Sequence, residues 1–417
     1  MLNFKGLLLA ATALAGFANA APAPTVNAKP GDVIPGRYIV SLKKDAGPRL
    51  LGTHLDWVGG IHARALGGAA DVKGIERTFN GSYGFQGYAG AFDDATVKEI
   101  RNNPDVDRVE EDRVWELSWL DEQQQQQQHV EKRDEFIQQQ NATWGLASVS
   151  HRAPGASDYR YHELAGEDTY AYVIDTGVRV THEEFEGRAV HAWTAFDSNE
   201  DNVGHGTHVA GTIGGKTWGV SKKANILAVK IFNERSSTTS TILAGFDWAV
   251  NDIISKGRQK KSALNMSLGG FFSLQFNMAV ERAADKDVLS IVAAGNENSN
   301  AALTSPASAR SAVTVAAIDR EWKRAFYSNY GSVVDIFAPG SNITSAWNTS
   351  DTAEKIISGT SMATPHVVGL ALYAMSVDGV GGVKDVTDHL ISVSTMDKVQ
   401  DPRGTPNRIG NNNNPYQ

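Results

Sequence analysis

From residue 144 to the end of the 417-residue chain, short apolar runs alternate with segments whose apolar residues recur every three or four positions. The runs at 170–174, 226–231, 263–268, 288–294 and 312–318 read as buried strands. Between them, Ile242, Phe246, Ala249 and Ile253 form a helical stripe, and Phe276, Ala279, Val280 and Ala283 form another. Alternation of this kind predicts an α/β fold, a mostly parallel sheet with helices on both faces. An earlier segment has a pattern of its own. Tyr38, Val40 and Leu42 fall on one face of a strand spanning 36–42. Thr96 and Glu99 have capping-box spacing, Val97 and Ile100 give the next turn an apolar side, and Pro104 is its stop. Residues 21–120 therefore read as a small α+β domain.

The joint between the two is polar. Gln123 to Gln128 form a homopolymeric run, Lys132-Arg133 follows, and Gln138 to Gln140 repeat the theme. Residues 121–140 cannot bury a core, so they read as an exposed linker. A dibasic pair there is a candidate processing site. At the amino terminus Lys5 precedes an apolar stretch of 6–18 that ends in Ala18-Asn19-Ala20. This is the layout of a signal peptide over residues 1–20 and too short to span a bilayer. The expected order is thus 1–20 signal, 21–120 small domain, 121–140 linker, 141–417 main domain.

Composition narrows the function classes. A net charge of −8 leaves no basic stripe for phosphate backbones, so nucleic acid is not an expected partner. No later run reaches membrane-spanning length. With no cysteine, disulfides, thiol nucleophiles and thiolate zinc sites are excluded together. A secreted chain of this kind must be held by packing, helped at most by bound ions.

Three motifs sit where parallel strands end or helices begin, the edge at which functional groups gather in open α/β sheets. Val173-Ile174-Asp175-Thr176-Gly177 closes a buried strand with a carboxylate, although an Asp after a strand is more often a turn former. Gly204-His205-Gly206-Thr207-His208-Val209-Ala210-Gly211-Thr212 brings two imidazoles to a helix start. Spaced i, i+3 and without a helical His-Glu-x-x-His, they make a poor zinc site. Gly359-Thr360-Ser361-Met362-Ala363-Thr364-Pro365-His366 puts Ser361 at a helix amino terminus, where a serine is usually only a cap. Together the three supply what a serine nucleophile needs: a base to take its proton and a carboxylate to fix the tautomer of that base. Asn296, directly after the 288–294 run, adds an oxyanion donor. Which of His205 and His208 is the base stays open on these grounds.

The chain order Asp, His, Ser, the thirty-residue separation of Asp175 and His205, and these nearly unbroken strings resemble subtilisin-like serine proteases of the proteinase K branch. Within it, Glu183-Glu184-Phe185-Glu186-Gly187-Arg188, Asn265-Met266-Ser267-Leu268-Gly269-Gly270 and Ala293-Ala294-Gly295-Asn296-Glu297-Asn298 are most similar to the cysteine-free, oryzin-like fungal alkaline proteases. The resemblance implies the triad Asp175, His205 and Ser361, with the Asn296 amide and the Ser361 N–H as oxyanion donors. It implies walls for the residue before the scissile bond at Ser267, Leu268, Gly269, Ala294 and Gly295. Their small size and lack of charge suggest preference for aromatic or long aliphatic residues. The edge from Arg235 to Thr239 corresponds to a substrate-binding edge.

Pro35-Gly36-Arg37-Tyr38-Ile39-Val40 resembles the family's inhibitor-type propeptide, which implies a secreted, autoinhibited precursor whose partners are protein substrates and its own propeptide. The mature chain is expected to start between 134 and 144 and to act as a monomer. No cofactor is expected for the chemistry. Asp335, with the carbonyls of Arg310 and Ala312, matches a structural calcium site. Of the sequons at Asn80, Asn141, Asn265, Asn342 and Asn348, the one at Asn265 should be buried and unmodified. Two rivals are weaker: an α/β-hydrolase needs its acid and histidine after the serine, where only Asp388-His389 offers itself, and a non-catalytic binder has no use for all four groups.

Overall fold

The computed structural model describes residues 29–44, 48–66, 74–122, 129–133 and 135–417. The expected signal peptide and the 123–128 glutamine run lie outside them.

The main domain is built on a nine-stranded sheet. From one edge the order is Ala189–Thr194, Asn225–Lys230, Tyr170–Asp175, Ser262–Met266, Leu289–Ala293, Val313–Ile318, Ile336–Pro339, Arg408–Ile409 and Thr395–Met396. All neighbours pair in parallel except the last two. The five apolar runs are the middle of this sheet, buried on both faces, as a parallel sheet flanked by helices requires. The expected strand 263–268 stops at Met266, because Ser267 leaves the ladder to bond the serine-bearing helix: its hydroxyl donates to the Ser361 carbonyl at 2.8 Å.

Helices Thr239–Ser255 and Leu274–Ala284 bury the two predicted stripes completely. The His205–Gly214 and Thr360–Tyr373 helices are buried along their whole length. Small residues make that possible. A Cβ on Gly211 would stand 2.3 Å from the Ser345 hydroxyl, and one on Gly369 would stand 2.5 Å from the Val220 side chain. Glycine at these positions lets the two helices lie this close to their neighbours, where any side chain would have to push them apart.

The amino-terminal domain is α+β. Strands Val33–Leu42, Gly74–Asn80, Gln86–Ala91 and Val106–Glu116 form an antiparallel sheet covered by helices Pro48–Leu66 and Asp94–Asn102. Val40 packs with Val58, Ile61, Tyr88 and Ile100, as its predicted face requires. Ile39, on the opposite face, is equally buried, because that face lies on the main domain; the Gln275 amide donates to the Ile39 carbonyl at 3.1 Å. The second helix begins earlier than its capping-box spacing suggests: Asp93 is the cap, and its carboxylate accepts the N–H groups of Ala95 and Thr96, both at 2.9 Å. An acid at that position outcompetes Thr96 for the orphan donors.

Two acids of this domain also cap main-domain helices. Glu110 accepts from the Ser273 hydroxyl at 2.9 Å and the Gln275 N–H at 3.2 Å. Asp112 accepts from the Ser240 hydroxyl at 2.6 Å and its N–H at 3.1 Å.

The joint is more ordered than its composition implies. Leu120–Glu122 pairs antiparallel with Glu354–Ser358, and Phe136–Gln140 is the middle strand between His129–Arg133 and Tyr159–His162. Gln139 is buried, its amide donating to the Thr217 carbonyl at 3.0 Å. Polar side chains paired through the backbone need no apolar core of their own.

Candidate active site

Asp175 ends its strand fully buried, and its carboxylate faces Nδ1 of His205 at 2.9 and 3.0 Å. The Thr176 N–H, 2.7 Å from Asp175 Oδ1, holds the carboxylate in place. Gly206 lets the histidine helix approach: a Cβ there would lie 2.1 Å from the Gly177 carbonyl. The opposite nitrogen of the ring, Nε2, is buried and bonds no group among the described residues.

The two histidines, indistinguishable in the sequence, separate here by their partners. His208 Nε2 bonds the Ile343 carbonyl at 2.9 Å, and burial pushes its pKa down to about 3. An imidazole that is held neutral against a backbone carbonyl braces the helix. Only His205 has the carboxylate.

Ser361 opens the Thr360–Tyr373 helix and is 4% exposed. Its hydroxyl donates to the Ser267 carbonyl at 3.0 Å, not to His205. Asn296 follows the Leu289–Ala293 strand. Its Oδ1 accepts the Thr360 N–H at 2.8 Å and the Thr360 hydroxyl at 2.9 Å, so its amide nitrogen must face the opening. There it donates to the Ser118 carbonyl at 2.8 Å.

Ser118 belongs to a segment that runs the length of this cleft. Val114, Trp115 and Glu116 pair antiparallel with Thr238, Ser237 and Ser236, and the Leu117 N–H donates to the Arg235 carbonyl at 2.8 Å. Trp115 is 1% exposed, edge-on to Phe271 and Phe276, with its indole N–H on the Thr239 hydroxyl at 2.9 Å. The Trp119 ring lies 5.0 Å from that of His205. The expected edge from Arg235 to Thr239 therefore does carry a chain, and the chain is the protein's own.

Of the expected pocket walls, Ser267, Leu268 and Ala294 are buried, whereas a Cβ on Gly269 would meet nothing within 4 Å. Gly295 has φ +103°, and a side chain there would strike the Asn329 amide at 2.4 Å. Asp335 accepts the Thr314 N–H at 2.8 Å, and burial raises its pKa to about 6. Arg310 is exposed and Ala312 buried. Among the described residues no three His, Asp or Glu side chains converge on one point. A cation at Asp335 would therefore draw mainly on backbone carbonyls and water. That donor set suits a hard ion such as calcium. Asn265 is buried, its amide donating to the Ser267 hydroxyl at 3.0 Å, while Asn80, Asn141 and Asn342 are exposed.

Comparison with known proteins fits this geometry. Residues 166–411 match the subtilase family model, more than half of the chain. This chain belongs to the subtilase family. Residues 37–118 match the peptidase inhibitor I9 model, which ends at the residue whose carbonyl rests on Asn296. Alkaline protease 1 of Aspergillus clavatus is 48% identical over 99% of both chains. Alkaline protease 1 of Aspergillus oryzae is 50% identical over 91% of this chain and 92% of its own. The alkaline proteinase of Hapsidospora chrysogena is 50% identical over 94% of this chain and 95% of its own. Among solved structures, a cold-adapted subtilisin-like serine proteinase matches with a TM-score of 0.61 and 42% identity, covering 64% of this chain and 97% of that one. The protein is a subtilase serine peptidase with an I9 inhibitor domain ahead of it. The expected family, fold and enzyme class hold.

Proposed function

We propose that this subtilase is a secreted endopeptidase that is made as an autoinhibited precursor and cuts peptide bonds through an acyl-enzyme at Ser361. The observation that carries the reading is the Asn296 amide resting on the Ser118 carbonyl, its oxygen held by Thr360 next to Ser361, while the following residue, Trp119, lies against His205. Asp175 holds the His205 proton on Nδ1, leaving Nε2 as the base. Ser361 exchanges its bond to the Ser267 carbonyl for one to His205 Nε2, loses its proton there and attacks the carbonyl carbon. The oxyanion that forms is held by the Asn296 amide and the Ser361 N–H.

The walls at Ser267, Leu268, Gly269, Ala294 and Gly295 carry no charge, which favours aromatic or long aliphatic residues before the bond. The residue whose carbonyl rests on Asn296 in the precursor is the small, exposed Ser118, so this preference concerns other substrates. Secretion rests on the 1–20 segment and on the likeness to fungal alkaline proteases. The mature start between 134 and 144 rests on Lys132-Arg133, and the calcium site on Asp335 with the carbonyls of Arg310 and Ala312.

The decisive test is labelling by a fluorophosphonate probe. The processed protein should take it up at Ser361, and Ser361→Ala should take up none. Labelling that survives the substitution would place the nucleophile elsewhere.

A further inference from the structure

Beyond the position of Ser118, the cleft holds four more residues of the same segment, Trp119 to Glu122, and the contacts there are specific. The Arg235 guanidinium lies 3.9 Å from the centre of the Trp119 ring, whose other neighbour is His205. Leu120, Asp121 and Glu122 pair with Ser358, Ile357 and Ile356. Asp121 takes the Lys355 ammonium at 2.7 Å and the Trp119 indole N–H at 3.2 Å. The Lys355 hydrogen bond is the first cause holding its carboxyl below the ordinary Asp range. Glu122 accepts the Ser358 hydroxyl at 2.9 Å. Lys355 is itself 4.4 Å from the Trp347 ring, which limits where its ammonium can reach.

We propose that this enzyme selects its substrates on the leaving side of the bond, Arg235 holding an aromatic residue directly after it and Lys355 an acidic residue two positions further on, and that its own Ser118–Trp119 bond is the first one so read. The inference rests on the peptidase reading above and adds to it. The bond follows from the oxyanion donor, since the carbonyl on Asn296 belongs to Ser118 and the amide that leaves is therefore that of Trp119. Ser361 Oγ bonds the Ser118 carbon as the C–N bond to Trp119 breaks. The proton taken by His205 passes to the Trp119 nitrogen. Water then splits the ester, returning a hydrogen to Ser361 and a carboxylate to Ser118. The product begins at Trp119, retains residues 119–133, and reaches its final start only when cut again after Lys132-Arg133.

Two measurements test this with the secreted protein. Quenched peptides spanning Glu116 to Glu122 are compared with versions carrying Lys in place of Asp121. Wild-type enzyme should cut the Asp peptide about three- to fivefold better in kcat/KM, as a partly exposed charge pair allows. The ratio should fall to about one in Lys355→Ala, reverse in Lys355→Glu, and shrink with added salt in the wild type. Gly in place of Trp119 should cost the wild type more than it costs Arg235→Ala. During expression of the full chain, the first new amino terminus downstream of the signal peptide should be Trp119, and in Ser361→Ala it should be absent. Equal cutting of the Asp and Lys peptides, a ratio that survives Lys355→Glu, or a first new terminus elsewhere would overturn the proposal while Ser361 still labels. If no peptide is cut and Ser361 does not label, the peptidase reading falls and this one with it.

Discussion

Asn296 shows how one side chain is made directional. Both protons of an amide are available for bonding, yet Thr360 occupies the oxygen end twice, so the nitrogen end has one direction left. A donor held this way needs no reorganisation as charge develops on the substrate oxygen. Asn296→Ala should lower kcat by about 10²–10³, the usual cost of one oxyanion donor in subtilisin-type enzymes, with KM little changed. Steady-state kinetics on a soluble peptide checks this, and an unchanged kcat would remove Asn296 from the mechanism. His208 is the counterpart in which the same kind of reading fails from sequence. It shares a motif and a helix with His205, and only the Ile343 carbonyl on one and the Asp175 carboxylate on the other tell them apart.

At the scale of elements, the amino-terminal domain is held by its strand ending in the cleft and by acids on two helix starts. Burying Trp115 contributes on the order of 4–6 kcal/mol as an upper figure from its apolar area. Each helix cap contributes about 1 kcal/mol. The tryptophan therefore dominates affinity, while Glu110 and Asp112 fix the register of the sheet on helices Leu274–Ala284 and Thr239–Ser255. Glu110→Gln should raise the Ki of the inhibitor domain about fivefold and leave the freed enzyme's turnover unchanged. A titration of freed enzyme with the domain added in trans measures both. These caps could not be read from the sequence, because each joins residues more than 120 positions apart. The helices they cap were legible, since Ile242 to Ile253 and Phe276 to Ala283 repeat at helical spacing within one segment.

Across the whole molecule, the contact between the two domains couples docking to pH. Asp247, on the Thr239–Ser255 helix, lies beneath Tyr83 and Asn80 of the inhibitor domain, and burial raises its pKa to about 7. A carboxyl whose pKa is raised in the complex takes up a proton on docking. Docking is therefore strongest below the ordinary carboxyl range near 4, weakens as pH rises from there to about 7, and levels off above it. Asp247→Asn should flatten this dependence and slow release of the cut domain above neutrality; an unchanged pH profile would assign the dependence to another group. The proposed ion site acts on stability. If calcium sits beside Asp335, chelation should lower the melting temperature of the processed enzyme and Asp335→Asn should abolish that shift, whereas a melting point indifferent to chelator would leave Asp335 as a buried acceptor for Thr314.

Local information determined the strands, the helical stripes and the class of fold, and it singled out the four candidate catalytic groups, because each depends on spacing or residue type within a few positions. Family likeness then named the first histidine. What only the tertiary structure decided is what fills the cleft. The paired strand from Val114 to Glu116, the Ser118 carbonyl on Asn296 and the Lys355 contact with Asp121 join segments far apart in the chain. Backbone pairing depends weakly on side-chain type, so a polar stretch such as 120–122 or 136–140 gives no signal of its partner until the chain has folded around it.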